Sequence, residues 1–184
     1  MWITRRTVGM VVAAAVGAVS MTLVVGAFGA LGKTHPNHPI HSNHHGKRTG
    51  APLIDESLAP SQPTDPAFHS VTPGSLPWVL KRGDVRLKRD GKLDLQVKGL
   101  VIPPPMGNGT PGPVTTISAS LYCGADTNPM PADTTQQVPI SSEGDARIHD
   151  ASFTVPTTCL APVILVHPNG LATTYIALDG WRLP

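Results

Sequence analysis

From Ser75 onward apolar residues alternate with polar ones in short runs, without the 3.6-residue recurrence of a helix. Val85, Leu87, Leu93, Leu95 and Val97 are apolar, their neighbours Asp84, Arg86, Asp94 and Gln96 are not, and Asp90-Gly91 falls between the two halves. That alternation predicts a β-hairpin. A two-residue turn at Asp90-Gly91 would set Leu87 opposite Asp94 and break the apolar face. A three-residue loop, Arg89-Asp90-Gly91, with Gly91 in the left-handed conformation of a G1 bulge, pairs Lys88 with Lys92, Leu87 with Leu93 and Val85 with Leu95. Arg86 then falls opposite Asp94 on the wet side.

A second hairpin is predicted around His167-Pro168-Asn169-Gly170, where Pro168 presets the turn and Gly170 can take positive φ. It joins the nearly continuous apolar run Ala161 to Val166, suited to an interior strand, to Thr173–Leu178. Between the hairpins Ile117, Ala119, Leu121 and Cys123 alternate with Thr116, Ser118, Ser120 and Tyr122, so Cys123 points inward. Cys159 shares a face with Ala161, Val163 and Leu165, which predicts a disulfide from Cys123 to Cys159 between two strands. Closing that loop would contribute at most about 4 kcal/mol. In the strand that begins at Asp145 the apolar phase slips between Ile148 and Ala151, and a β-bulge near His149-Asp150 would reconcile the two sets. Trp78 reads as a core anchor. Seven or eight strands in residues 73–184 predict an all-β fold, an immunoglobulin-like β-sandwich.

The chain ahead of this domain has another character. Residues 1–32 hold Arg5-Arg6 followed by an uncharged, proline-free run from Val8 to Leu31. At roughly 1.5 Å per residue that run crosses a hydrocarbon core of about 30 Å. It reads as a helix that is either a cleaved signal peptide or a retained transmembrane anchor, with the arginines left in the cytoplasm. Thr4 to Val8 loosely matches a twin-arginine signal, although two arginines before an apolar run are common to most export signals. Residues 33–72 are rich in His, Pro, Asn and Ser and include Pro36, Pro39, Pro52, Pro60, Pro63 and Pro66. They predict a disordered or polyproline linker, interrupted by the apolar patch Leu53-Ile54 and Leu58.

Charge narrows the partners. The chain carries 14 Lys plus Arg and 12 Asp plus Glu, but residues 73–184 hold nine of each, so the domain argues against nucleic-acid binding. Lys81 to Lys98 concentrates seven basic residues against three aspartates. That hairpin suits either an anionic partner or a solvated outer strand face.

Leu76-Pro77-Trp78-Val79-Leu80, the Asp90-Gly91 hairpin, Lys98 to Pro103, Ile117 to Cys123, Cys159 to Pro162 and His167 to Gly170 together resemble a group of small exported proteins of high-GC Gram-positive bacteria. The resemblance spans roughly Ser75 to Leu178 and rests on strand and turn strings. It implies export and a two-cysteine β-sandwich domain, and it supplies no activity.

The densest candidate chemistry lies in the linker, at His35, His38, His41, His44 and His45. Imidazoles so close together can bind Cu(II), Ni(II) or Zn(II). In polyproline II, however, side chains three apart stand about 9 Å from one another, so such binding would be loose and exchangeable. The same stretch also reads as a soluble, flexible spacer, or below a pH of about 6.5 as a polycation for anionic lipid headgroups or envelope polymers. Within the domain His149 lies near Asp145 and Asp150 in sequence, a conceivable acid/base or metal cluster, and His167 sits at a turn corner. HExxH, GxSxG, P-loop and CxxC patterns are absent from the sequence. The sequence therefore predicts a non-catalytic extracytoplasmic module with an envelope interaction or structural role. Metal handling through the linker histidines is the alternative, and a hydrolase a distant third.

Overall fold

The computed structural model describes residues 51–182. Its strands are β1 (Ile54–Pro60), β2 (Thr72–Pro73), β3 (Arg82–Leu87), β4 (Leu93–Lys98), β5 (Thr116–Tyr122), β6 (Asp133–Thr134), β7 (Val138–Pro139), β8 (Ala146–Asp150), β9 (Val163–Pro168), β10 (Thr174–Tyr175) and β11 (Ala177–Asp179). The described residues contain no helix, so none is long and apolar enough to cross a membrane. The predicted N-terminal helix and the run from Val8 to Leu31 lie outside the described residues.

The main sheet runs in the order β6-β5-β9-β11-β1-β3-β4-β8, with β7 also paired to β5, and every pairing in it is antiparallel. Strand β1 holds the sheet together. Its first half, Ile54–Ser57, pairs with β3, and its second half, Leu58–Pro60, pairs with β11. The sheet curls about this strand. Val85, Leu87, Leu93, Leu95, Val97 and Ile148 from one half share a single buried core with Ile117, Ala119, Leu121, Ile164, Val166 and Ala177 from the other. Trp78 is buried in that core, as its sequence context suggests.

The first hairpin has the register that its side chains require. Val85 pairs with Leu95, Arg86 with Asp94 and Leu87 with Leu93. The Lys88 amide donates to the Lys92 carbonyl, and Gly91 has a φ of 83°. Gly91 has a second reason to be glycine, because a Cβ there would overlap the carbonyl oxygen of Phe153, whose amide in turn donates to the Gly91 carbonyl.

Three expectations need correction. Residues 51–72, expected as the end of a disordered linker, are folded: Ile54, Leu58 and Ala59 are buried and β1 lies inside the sheet. The patch Leu53-Ile54 and Leu58 is thus core. The bulge expected near His149-Asp150 is absent, since β8 pairs with β4 without interruption from Ala146 to Asp150. The phase slips because the strand ends there. Asp150 accepts hydrogen bonds from the amide and hydroxyl of Ser152, the chain bends, and Phe153 tucks under the first hairpin from a loop. Finally, Thr173–Leu178 is two strands: β10 pairs in parallel with β2, and β11 alone continues the hairpin with β9.

The remaining difference concerns the outer face of β5 and β9. Ser118, Ser120 and Tyr122, which alternate with the inward-facing set, are as buried as that set. The segment between β1 and β2 folds back over this face. Val71, Tyr122, Leu165 and Tyr175 form a second small core with Phe68 packed against it. Phe68 meets Tyr175 edge-on at 5.9 Å, His69 stacks on Tyr122 at 4.9 Å, and the Tyr175 hydroxyl donates to the Pro66 carbonyl at 2.8 Å. Because β9 is covered on both faces, its run Val163 to Val166 is apolar throughout.

Candidate functional site

Cys123 and Cys159 are joined in a disulfide with 5.0 Å between their Cα atoms. Cys123 directly follows β5 and Cys159 lies in the loop that leads into β9, so the bridge staples the two strands that pair most extensively in this half of the sheet. The Gly124 amide donates to the Leu160 carbonyl beside it. A disulfide of this kind is consistent with an extracytoplasmic location.

The staple closes one end of β5 and β9, and the outer face of the same strands carries a polar cleft. Ser118 and Ser120 from β5, His167 from β9, Thr134 to Gln137 from β6 and the stretch after it, and Gly170 with Ala172 surround a cavity of about 180 Å³. Pairing places Ser118 directly across from His167, and the turn after β9 supplies the third wall. Asn169 and Gly170, at φ of 49° and 70°, make a tight turn closed by the Leu171 amide on the Pro168 carbonyl. This is the Asn-Gly pairing that a type I′ turn demands, so Asn169 and Gly170 hold the two central positions and Pro168 the one before them.

His167 is 1 % exposed. Its Nδ1–H donates to the Thr174 carbonyl at 2.8 Å, which fixes the tautomer and leaves the lone pair on Nε2. Nε2 is buried and has no hydrogen-bond partner among the described residues. Burial lowers the imidazole's pKa below its ordinary value, against the opposing pull of the Thr174 and Leu171 backbone, and so favours the neutral ring. The hydroxyls around it are held in place. Ser120 Oγ and Thr134 Oγ1 lie 2.8 Å apart, and Thr135 Oγ1 accepts from the Ala119 amide while donating to the Gln136 carbonyl. The Gln137 side chain accepts from Thr116 Oγ1 and spreads its amide over Gly170, where any Cβ would collide with it.

The residues singled out in the sequence fare differently. His35, His38, His41, His44 and His45 lie outside the described residues, and among the described residues no group of three or more His, Cys, Asp or Glu could hold a metal ion. His149 does not meet Asp145 and Asp150. It is exposed and donates through Nδ1 to Asp94 at 2.7 Å, while Asp145 accepts from the Gly99 amide. The His149 hydrogen bond is the first cause holding the Asp94 carboxyl below the usual range. On the basic hairpin Arg82, Arg86 and Lys92 lie beside Asp84, Asp55 and Asp90, and Arg147 lies beside Asp94, the pattern of a solvated strand face. No sequence motif marks the cleft itself. Its only trace in the sequence is Ser-x-Ser in β5 and the proline-flanked polar run Asp133 to Gln137, and neither carries a motif.

Comparison with protein-family models, with curated proteins and with solved structures finds no match.

Proposed function

We propose that this chain is an extracytoplasmic module of the cell envelope that acts by binding or by structural contact. The observation that carries the reading is the disulfide between Cys123 and Cys159, which persists in oxidising compartments and would be reduced in the cytosol. Arg5-Arg6 ahead of the apolar run Val8 to Leu31 supports export, with that run either removed as a signal or kept as an anchor. The resemblance to small exported proteins of high-GC Gram-positive bacteria supports the same placement. Two sheet halves facing across one core support the finer assignment of an immunoglobulin-like sandwich. In this reading the segment up to residue 50 carries the folded part away from the membrane, and anionic envelope polymers or lipid headgroups are its natural surroundings.

Amino-terminal sequencing of the mature protein, recovered separately from the membrane and the culture medium, tests the reading. A new N-terminus between Gly26 and Lys33 in the medium identifies a cleaved signal; Met1 retained in the membrane fraction identifies an anchor. Recovery only from the soluble cytosol with Met1 intact contradicts export. Five histidines within His35 to His45 favour a second reading, loose Cu(II), Ni(II) or Zn(II) handling. Calorimetric titration of the full chain and of a variant with these five replaced by Ser separates the two, because identical heats from both would end it.

A further inference from the structure

We propose that the cleft between His167, Ser118, Ser120 and Thr134 to Gln137 is a binding site for a small neutral polyhydroxyl ligand of about one sugar ring. The inference deepens the reading of the chain as a binding module, and it does not depend on where the protein resides. Its starting point is the Nε2 atom of His167. A buried acceptor without a partner costs free energy, and native proteins seldom leave one without a partner unless a water or ligand supplies the donor. Here the atom belongs to a side chain that lines the cavity, and the Thr174 carbonyl fixes its other nitrogen.

The lining then selects the ligand. None of the residues around the cavity is acidic or basic apart from His167, whose burial favours the neutral form. A cation or anion entering would lose its hydration without meeting an opposite charge, which is costly. A hydroxyl loses nothing comparable. It can donate to and accept from Ser118, Ser120 or Thr134, whose hydroxyls do both, and a shift of the lining that opens the buried Nε2 would give that atom its donor, so a ligand bearing several hydroxyls matches the mixture on the walls. Size gives the same answer. An open cleft of about 180 Å³ far exceeds the roughly 10–15 Å³ that a single bridging water requires, and hydroxyls of one ring could replace its waters while reproducing their hydrogen bonds. Ala172 keeps its part of the turn-side wall free of a bulky side chain, leaving room for the C–H face of such a ring.

The hydroxyl-bearing walls are built before the ligand arrives. Thr135 is pinned by the Ala119 amide, Gln137 by Thr116, and Ser118 by its pairing with His167 across two strands stapled at the disulfide. Such preorganisation reduces the ordering that binding must otherwise oppose.

The test is NMR on the ¹⁵N-labelled full chain, disulfide intact, in detergent micelles, titrated separately with glycerol, glucose and N-acetylglucosamine. The proposal expects at least one of them to move the His167 Nε2 resonance and the Ser118 and Thr135 amides saturably, with a millimolar midpoint. Ser118→Val, a residue that suits a strand and fills the cleft, should weaken that binding about tenfold or more while the rest of the spectrum stays folded. Should valine disturb the fold, Ser118→Ala, which removes one hydroxyl and adds no bulk, should still weaken it by several-fold. Two results would overturn the proposal: no saturable change at His167 with any of the three, meaning that the cleft holds water only, or changes that persist undiminished in the folded Ser118 variants.

Discussion

Asp179→Asn should stabilise the protein at neutral pH, although Asp179 accepts a short hydrogen bond from the Ile164 amide at 2.7 Å. Burial at the end of β11 pushes its carboxyl from 3.8 up to about 6, the Ile164 amide and its own backbone partly opposing that rise and nearby Glu56 adding to it. An acid whose folded pKa is raised binds its proton more tightly when native, so the carboxylate costs stability once it ionises. The penalty is absent below about pH 3.8, grows between 3.8 and 6, and is fully present above 6. Two pKa units at about 1.4 kcal/mol each set its size at roughly 3 kcal/mol. Asparagine keeps an oxygen for the Ile164 amide and carries no charge. Allowing for the new NH₂ group, the variant should gain about 1–3 kcal/mol at pH 7 and converge on the parent near pH 3.5. Urea unfolding of both proteins with the disulfide intact, from pH 3.5 to 8, measures the difference directly. His167 contributes the opposite slope to both proteins, because its lowered pKa removes stability as pH falls below about 6.5, and it therefore cancels in the comparison. A variant less stable than the parent at pH 7, or a difference that does not change with pH, would refute the reasoning.

Leu58→Ala should cost about 2–4 kcal/mol in the same assay, because Leu58 is buried where β1 crosses from one half of the sheet to the other; a change near zero would return residues 51–60 to a linker. Gly91→Ala should cost about 2 kcal/mol or more, combining a left-handed backbone with overlap on the Phe153 carbonyl, whereas Gly109→Ala, with positive φ and open space around it, should cost about 1 kcal/mol. Equal effects at the two glycines would contradict the Phe153 contact. Reducing the disulfide should lower stability by about 4 kcal/mol, as expected for a loop of 36 residues, and a loss under 1 kcal/mol would show that the staple constrains little.

The sequence reveals this fold wherever one face of a strand is wet. In the first hairpin Arg86 and Asp94 mark the outside, so a slip of one residue would bury charge and the register has one solution. The interior place of β9 is legible for the opposite reason, since Ala161 to Val166 offers no face for water. Legibility fails where a second layer covers a polar face. Nothing in Thr116 to Tyr122 signals that Phe68, Val71 and Tyr175 cover part of its hydroxyl side, or that Ser118 faces His167 there, because those contacts span long stretches of chain. Strand β1 hides for a related reason. Asp55, Glu56 and Ser57 interrupt its apolar positions just before it changes partner strand, and the prolines around it resemble a linker. The disulfide was readable through Cys123, which continues the apolar phase of β5; the face expected for Cys159, that of Val163 and Leu165, is not the one it takes, because those two line the second core while Cys159 packs from a loop against the first.

The account rests on Cys123 and Cys159 being bonded in the protein as the cell makes it. Cells lysed directly into denaturant with excess alkylating reagent, followed by mass spectrometry of the intact chain, measure this without purification. The account predicts a chain that takes up no reagent until it is reduced, and two equivalents afterwards. A chain alkylated twice before reduction would contradict it.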